Sequence, residues 1–388
     1  MKGRGWKDTD SELDWDIFWT DVGWIREVFD HVHLEDHQRI NHFRNHYELT
    51  RKDLIVKNLK RARKQNERAD GALGASRWDF FPSTFVLPQE YALFVEDFKQ
   101  CPGSTWIMKP VGKAQGKGIF LFSKLSEISE WKKDHKWKGD QQKDKDNQPE
   151  AYIVQKYLEN PYLIGGKKFD LRIYVLVTSY VPLTVYLYRT GFARFSNYRF
   201  SMQANTIANS YIHLTNVAIQ KTAPGYSGQL GCKWNMQSLK MYMISKHGTA
   251  PVNQLFGDIQ DVILNSLLSV QKIIIQDKHC FEVYGYDIII DDRLKPWLLE
   301  VNASPSLTAD TKEDYELKSN MLNDALNILD MEKKLSGQED QVGGWDVIYR
   351  NGGPVRIDKR STVPTYLGCF NNREKNLKKI FKNAAASQ

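Results

Sequence analysis

Charged and apolar side chains alternate from Lys168 onward: Lys168, Asp170 and Arg172 fall between Phe169, Leu171, Ile173 and Val175. A period of two puts the two sets on opposite faces of a strand. The segment FDLRIYVLVTSYVPLTVYLYRTGFARF therefore predicts a long hairpin turning near Pro182. YGYDIIIDDRLKPWLLEVN predicts a second hairpin, with Asp291 to Lys295 as connector. STWIMKP, IFLF and AYIVQK read as short strands. Helical spacing appears in YELTRKDLIVKNLKRARKQ, where Leu54, Ile55 and Leu59 form a stripe and Thr50 supplies a start signal. Further helices are expected at Glu90–Lys99, across 233–278 and across 310–335. Residues 131–150 lack large aliphatics and read as a flexible insertion. The pattern divides the chain into an N-terminal mixed lobe (1–100), a central lobe (101–190), a C-terminal lobe (191–335) and a weakly ordered basic tail (336–388). The fold class is α/β, of the α+β kind.

Composition narrows the class. The 388 residues are 41% hydrophobic and 26% charged, which excludes wholesale disorder. The longest apolar run, Leu171 to Tyr188, is broken by Arg172, Thr178, Ser179 and Pro182, so no membrane span is expected. The polar start MKGRGWKDTD shows no signal peptide. Cys101, Cys232, Cys280 and Cys369 are far apart, so neither a disulfide framework nor a zinc ribbon is expected. The net charge of +7 is uneven. Residues 51–68 hold eight Lys/Arg against Asp53 and Glu67, and a second basic cluster lies at 372–388. These read either as solvated faces or as docks for an acidic partner.

The candidate chemistry lies in the middle. Lys109 ends a strand before GKAQGKG, and a second strand follows. A Walker loop or a dinucleotide fingerprint would need a helix there. A strand–loop–strand with Gly112, Gly116 and Gly118 suits a flap over nucleotide phosphates; an ordinary glycine hairpin is the competing reading. In the second hairpin, antiparallel pairing brings Glu300 and Asn302 to within a residue or two of Asp287, placed at the start of its strand. Glu300 and Asn302 share one face. Three hard oxygen donors converging at the end of buried strands suit magnesium, with water and phosphate completing the shell; two exposed acids on an edge hairpin are the alternative. Gln155 to Leu158 could line an adenine pocket. Lys168, Arg172, Arg189 and Arg194 form a basic face suited to phosphates and carboxylates, with a solvated sheet face as the competing reading. His42 and His46, spaced i,i+4, could face a metal, but local hydrogen bonding is preferred.

Taken in order, WIMKP, GKAQGKG, VQKYLENPYLIGGKKFDLR, LYRTGFARF, HLTNVAIQK and YGYDIIIDDRLKPWLLEVNASPSL resemble the tubulin tyrosine ligase-like family, as does HFRNHYELTRKDLIVKNLKR near the start. The resemblance runs from about Gly5 to about Met331. It implies an ATP-grasp fold, with ATP between the central and C-terminal lobes. ATP would be held by Lys109, Gln115, Gly116, Gln155, Lys156, Tyr157, Leu158, Lys168, Phe169, Asp170, Thr215 and Asn216. Magnesium would be held by Asp287, Glu300 and Asn302. Arg172, Arg194 and Glu300 would be catalytic, with Arg194 and Lys221 facing the amino-acid substrate. Arg51, Lys52, Lys57, Lys60, Arg61, Arg63 and Lys64 would dock an acidic tubulin tail. The implied reaction is ATP-dependent ligation of free glutamate onto tubulin-tail glutamates. The alternatives are glycine or tyrosine ligation, and non-catalytic microtubule binding with a vestigial ATP site. A nucleic-acid ligase or binder is disfavoured, because no nucleotidyl-transfer lysine motif or binding module is present. The resemblance also implies accessory subunits, and a cytoplasmic, cytoskeletal or ciliary and flagellar setting.

Overall fold

The computed structural model describes residues 2–113, 115–128, 151–226, 233–355, 361 and 363–387. The insertion expected at 131–150 lies outside them. Helix α1 (Lys52–Ser76) buries Ile55, Val56, Leu59 and Ala62, one stripe at helical spacing. It begins one residue later than its sequence signal suggests: Arg51 is the N-cap, and the Thr50 hydroxyl donates to the His46 carbonyl at 3.2 Å. Gly71, at φ +62°, interrupts it.

Two antiparallel sheets carry the site. The smaller contains β1 (Thr84–Leu87), β2 (Trp106–Pro110), β3 (Phe120–Phe122) and β4 (Tyr152–Lys156), in the order β1-β4-β2-β3. Helix α2 (Tyr91–Gln100) covers it, with Phe94 buried against Trp106 and Phe122. The larger sheet is built around β5 (Lys167–Tyr180). One edge of β5 pairs first with β7 (Phe192–Arg199) and then with β6 (Leu183–Tyr188). Its other edge pairs with β9 (Glu282–Ile290), which pairs in turn with β10 (Pro296–Asn302). A short β8 (Lys233–Asn235) extends the sheet beside β7 and leads into α3 (Met236–His247) and α4 (Thr249–Val270). Residues 233–278 are thus mostly, but not wholly, helical. Leu255, Ile259, Ile263 and Leu267 of α4 join Leu171, Ile173 and Val175 of β5 in one core.

The lobe boundaries move accordingly. The division expected at 190/191 falls inside the large sheet, between β6 and β7; the small sheet instead ends at Lys156. Thr84–Leu87 and α2, read as part of the N-terminal lobe, belong to the small sheet. The tail reading is also corrected. β11 (Gln341–Val342) and β12 (Trp345–Arg350) complete the large sheet alongside β6, and helix α6 (Arg373–Ser387) follows. Trp345 is fully buried against Tyr188, in a core shared with Met321 and Ala325 of α5 (Lys312–Leu329). A six-residue strand among glycines and charges carries little periodic signal, which is why this return was illegible. Among the described residues, no helix is long and apolar enough to cross a membrane.

Candidate active site

A cleft between the two sheets gathers most of the predicted site. Its walls include Ile107, Lys109, Gln155, Lys156, Tyr157 and Leu158 from the small sheet and the strand-end loop. Lys168, Asp170, Asp287, Glu300 and Asn302 come from the large sheet. Gln115 and Gly116 overhang it, and Thr215 and Asn216 close one side. The loop bends there because Gln115 (φ +62°) and Gly116 (φ +77°) both take left-handed backbone. The φ of Gly116 favours glycine, and a Cβ there would also come within 2.3 Å of Ile219 Cδ1, which would have to move.

Two buried lysines face the cleft. Lys109 Nζ donates to Gln155 Oε1 at 2.7 Å, and Gln155 Nε2 donates to Thr84 Oγ1 at 2.9 Å. Lys168 Nζ donates to the Tyr157 hydroxyl at 2.8 Å and to the His213 carbonyl at 2.7 Å. Burial pushes the Lys109 ammonium down to about 8 and that of Lys168 down to about 7. Each has lost the solvent that would favour its charge, so a bound polyanion would restore it.

Asp287 lies opposite Glu300 in the β9–β10 ladder. It is the sixth residue of β9, not its start, so the donors meet inside the sheet rather than at an open end. Arg172 Nε and Nη2 reach the Asp287 carboxylate at 2.6 and 3.2 Å, and Arg194 Nη2 at 2.8 Å. Arg194 also pairs bidentately with Asp170, its neighbour across β5 and β7. Burial alone would raise the Asp287 carboxyl; Arg172 and Arg194 outweigh it and hold it well below the usual range. Asp170 and Asp287 likewise hold Arg194 firmly charged despite its burial. The two arginines expected to face substrate are thus clamped onto the site's own acids.

The donor set fits a divalent cation. Asp287, Glu300 and Asn302 all line the cleft. Asn302 Nδ2 donates to the Gly285 carbonyl at 3.2 Å, which leaves its Oδ1 for the cleft. A carboxylate offers about four lone-pair sites, so the arginines do not exhaust Asp287. Lys52 Nζ stands 3.5 Å from Glu300 Oε2 and donates to the Lys113 carbonyl at 3.4 Å. Sequence reasoning placed Lys52 in the docking patch. Its position at the start of a basic helix gave no sign that the helix starts at the cleft.

Other expected residues lie elsewhere. Phe169 points to the opposite face of β5 and is buried against Phe195 and Tyr162, so its side chain is not in the cleft. Lys156 lines the cleft, but its Nζ turns away to Cys101 Sγ at 3.3 Å. Arg189 pairs with Asp346 of β12 at 2.6 and 2.7 Å, away from the cleft. Lys221 is half-exposed and held by Asp310 at 2.6 Å. In the basic helix, Arg51 pairs with Asp53, Lys60 with Glu90, and Arg61 with the Ser269 carbonyl. Lys57, Arg63 and Lys64 remain exposed.

A second cavity, about 310 Å³, shares Thr215 with the cleft and is lined by Arg194, Phe192, Lys233, Trp234, Asp310 and Asp314. Lys233 bridges Asp310 and Asp314 at 3.1 and 2.9 Å. Asp314 Oδ1 is buried with no hydrogen-bond partner among the described residues. Lys233 and Asp314 were missed because they sit on separate elements, outside any motif.

The model of the tubulin-tyrosine ligase family matches residues 31–337. The chain is 53% identical, over 98% of its length and 88% of the relative's, to a Bos taurus protein named probable tubulin polyglutamylase TTLL9. It is 50% identical, over 95% of its length and 87% of the relative's, to the Caenorhabditis elegans protein named probable tubulin polyglutamylase ttll-9. It is 46% identical, over 92% and 91%, to the Tetrahymena thermophila protein named probable alpha-tubulin polyglutamylase Ttll1. With the family's motifs folded around a single cleft and this likeness along nearly the whole chain, the protein belongs to the tubulin-tyrosine ligase family.

Proposed function

We propose that the chain is an ATP-dependent ligase of the ATP-grasp type that adds glutamate to glutamate side chains in acidic tubulin tails. The observation that carries this is the convergence of two buried lysines with Asp287, Glu300 and Asn302 between two sheets. The names of the relatives supply the substrate class. ATP would lie with its base along Gln155–Leu158 and its phosphates toward Lys109, Lys168 and the Gln115–Gly116 bend. Magnesium, held by Asp287, Glu300 and Asn302, would neutralise phosphate charge.

A carboxylate is a poor electrophile, because its oxygen must leave. Transfer of the γ-phosphoryl group to the tail carboxylate gives an acyl phosphate and ADP. The amine of free glutamate then attacks the acyl carbon; an isopeptide bond forms, phosphate leaves, and the amine loses a proton. Arg172 and Arg194, fixed by Asp287 and Asp170, would set the positive potential beside the reacting carbon. The second cavity suits the free amino acid: Lys233 and Arg194 offer cations to its carboxylates, and Asp314 Oδ1 offers an acceptor to its ammonium.

The tail would approach along α1, whose exposed Lys57, Arg63 and Lys64 lead toward Lys52 at the cleft. From Lys52 to Lys64 the helix rises about 18 Å, the span of roughly five extended residues. Accessory subunits and a cytoskeletal, ciliary or flagellar setting belong to the same reading. The test is incubation of the chain with microtubules, ATP, magnesium and labelled glutamate, glycine or tyrosine in turn. Incorporation of glutamate is expected. Incorporation of glycine or tyrosine in its place would overturn the assignment.

A further inference from the structure

We infer that His42, Glu282 and Ser304 form a positioning relay that fixes the loop leaving β10 just after Asn302. His42 is buried at 1% exposure and Glu282 at 0%. His42 Nδ1 lies 2.8 Å from Glu282 Oε1, and its Nε2 lies 3.2 Å from Ser304 Oγ. The Phe43 amide and the Tyr284 hydroxyl donate to Glu282 Oε2 at 3.1 and 3.0 Å. A buried carboxylate needs such partners, since desolvation penalises an unpaired charge. Glu282 is therefore a rigid anchor, and it orients the imidazole that reaches Ser304.

The three ligand groups of His42, His46 and Glu282 lie within 4.8 Å of one another. The hydrogen bonds of His42 point away from a cation there. Both ring nitrogens of His42 are engaged, and His46 Nδ1 lies 3.0 Å from the Phe43 carbonyl.

Ser304 sits two residues beyond Asn302, and a second restraint acts on the same loop. Pro305 packs on Gly285, where a Cβ would meet Pro305 Cβ at 2.8 Å, and Gly285 is the ladder partner of Asn302. Gly285 also accepts the Asn302 amide. The loop is pinned from one side by Gly285 and from the other by His42. His42 lies on the N-terminal segment before α1, so the relay ties that segment to the donor end of β10. Partners that orient metal ligands from behind are worth 10–100-fold in metal affinity or activity.

This inference rests on the reading that Asp287, Glu300 and Asn302 hold a divalent cation. The test is Mn²⁺ binding with a non-hydrolysable ATP analogue, followed by electron paramagnetic resonance and calorimetry. Ser304→Ala removes the last link. His42→Asn keeps a donor near the Nδ1 position for Glu282 but does not reach Ser304. Each variant should weaken Mn²⁺ about 10-fold, Ser304→Ala with an unchanged unfolding midpoint, and the double variant should weaken it no further. Wild-type affinity in both variants overturns the relay alone. A wild-type protein that binds no Mn²⁺ overturns the metal reading, and the relay with it.

Discussion

ATP binding should draw protons from solution, by an amount set by the two buried lysines. In the free protein, Lys109 titrates near 8 and Lys168 near 7, both lowered by burial. At pH 8, Lys109 is about half charged and Lys168 about one-tenth charged. Phosphates bound against both would restore full charge, so uptake is about 1.4 protons at pH 8 and about 0.1 at pH 6. By linkage, ATP affinity near pH 8 falls roughly 25-fold per pH unit, and near pH 6 it is almost flat with respect to these groups. Fold stability moves the other way. An unfolded lysine titrates near 10.4, so between about pH 7 and 10 the unfolded chain binds more protons. The stability of the ligand-free protein therefore rises with pH over that window.

The assay is calorimetry of ATP binding at pH 8 in buffers of different ionisation enthalpy, repeated with Lys168→Met. Wild-type heats should depend on the buffer with the slope of about 1.4 protons, and the variant should lose about 0.9 of it. Heats independent of buffer at pH 8 would refute the reasoning, as would a variant with the full wild-type uptake.

Glu300→Gln should abolish ligation and leave the urea midpoint unchanged, since Glu300 is part-exposed and its ion pair to Lys52 is long. Asp287→Ala should abolish ligation and also destabilise by about 3–5 kcal/mol, because it strands the Arg172 guanidinium; equal midpoints for the two variants would contradict the buried network. Gly116→Ala should weaken ATP binding and also cost about 1–2 kcal/mol of stability, measured by calorimetry and thermal melts, because an alanine is strained at φ +77° and its methyl group would displace Ile219. Trp345→Ala should cost about 3–5 kcal/mol in urea unfolding if β12 belongs to the core; a change under about 1 kcal/mol would return that strand to the tail.

The strands of the site were legible because alternation is a local signal. Lys168, Asp170 and Arg172 share a face of β5 as their spacing requires, and Glu300 and Asn302 come to Asp287 because hairpin pairing is geometry. Side-chain commitments across elements were not legible. Nothing local shows that Arg194 is held by Asp170 and Asp287, that Lys221 is held by Asp310, or that Lys52 reaches Glu300. Phe169 was misplaced because it adjoins two site residues in sequence, and adjacency along a strand means opposite faces. The lobe boundary at 190 erred because β5 turns into β6 and then β7 without leaving the sheet.

The late return of β12 has a consequence during synthesis. β6 has β5 on one edge and β12 on the other, and Trp345 is the ladder partner of Tyr188. Roughly 160 residues separate them, which a ribosome adds in about 8–30 s. Throughout that interval Leu183–Tyr188 would present an unpaired, apolar strand edge on a nascent chain, the kind of surface that recruits wrong partners. The family match ends at residue 337, before β11 and β12 begin. A fragment cut at that point would keep every residue of the cleft and leave this edge permanently open, so its expected failure is aggregation rather than loss of chemistry.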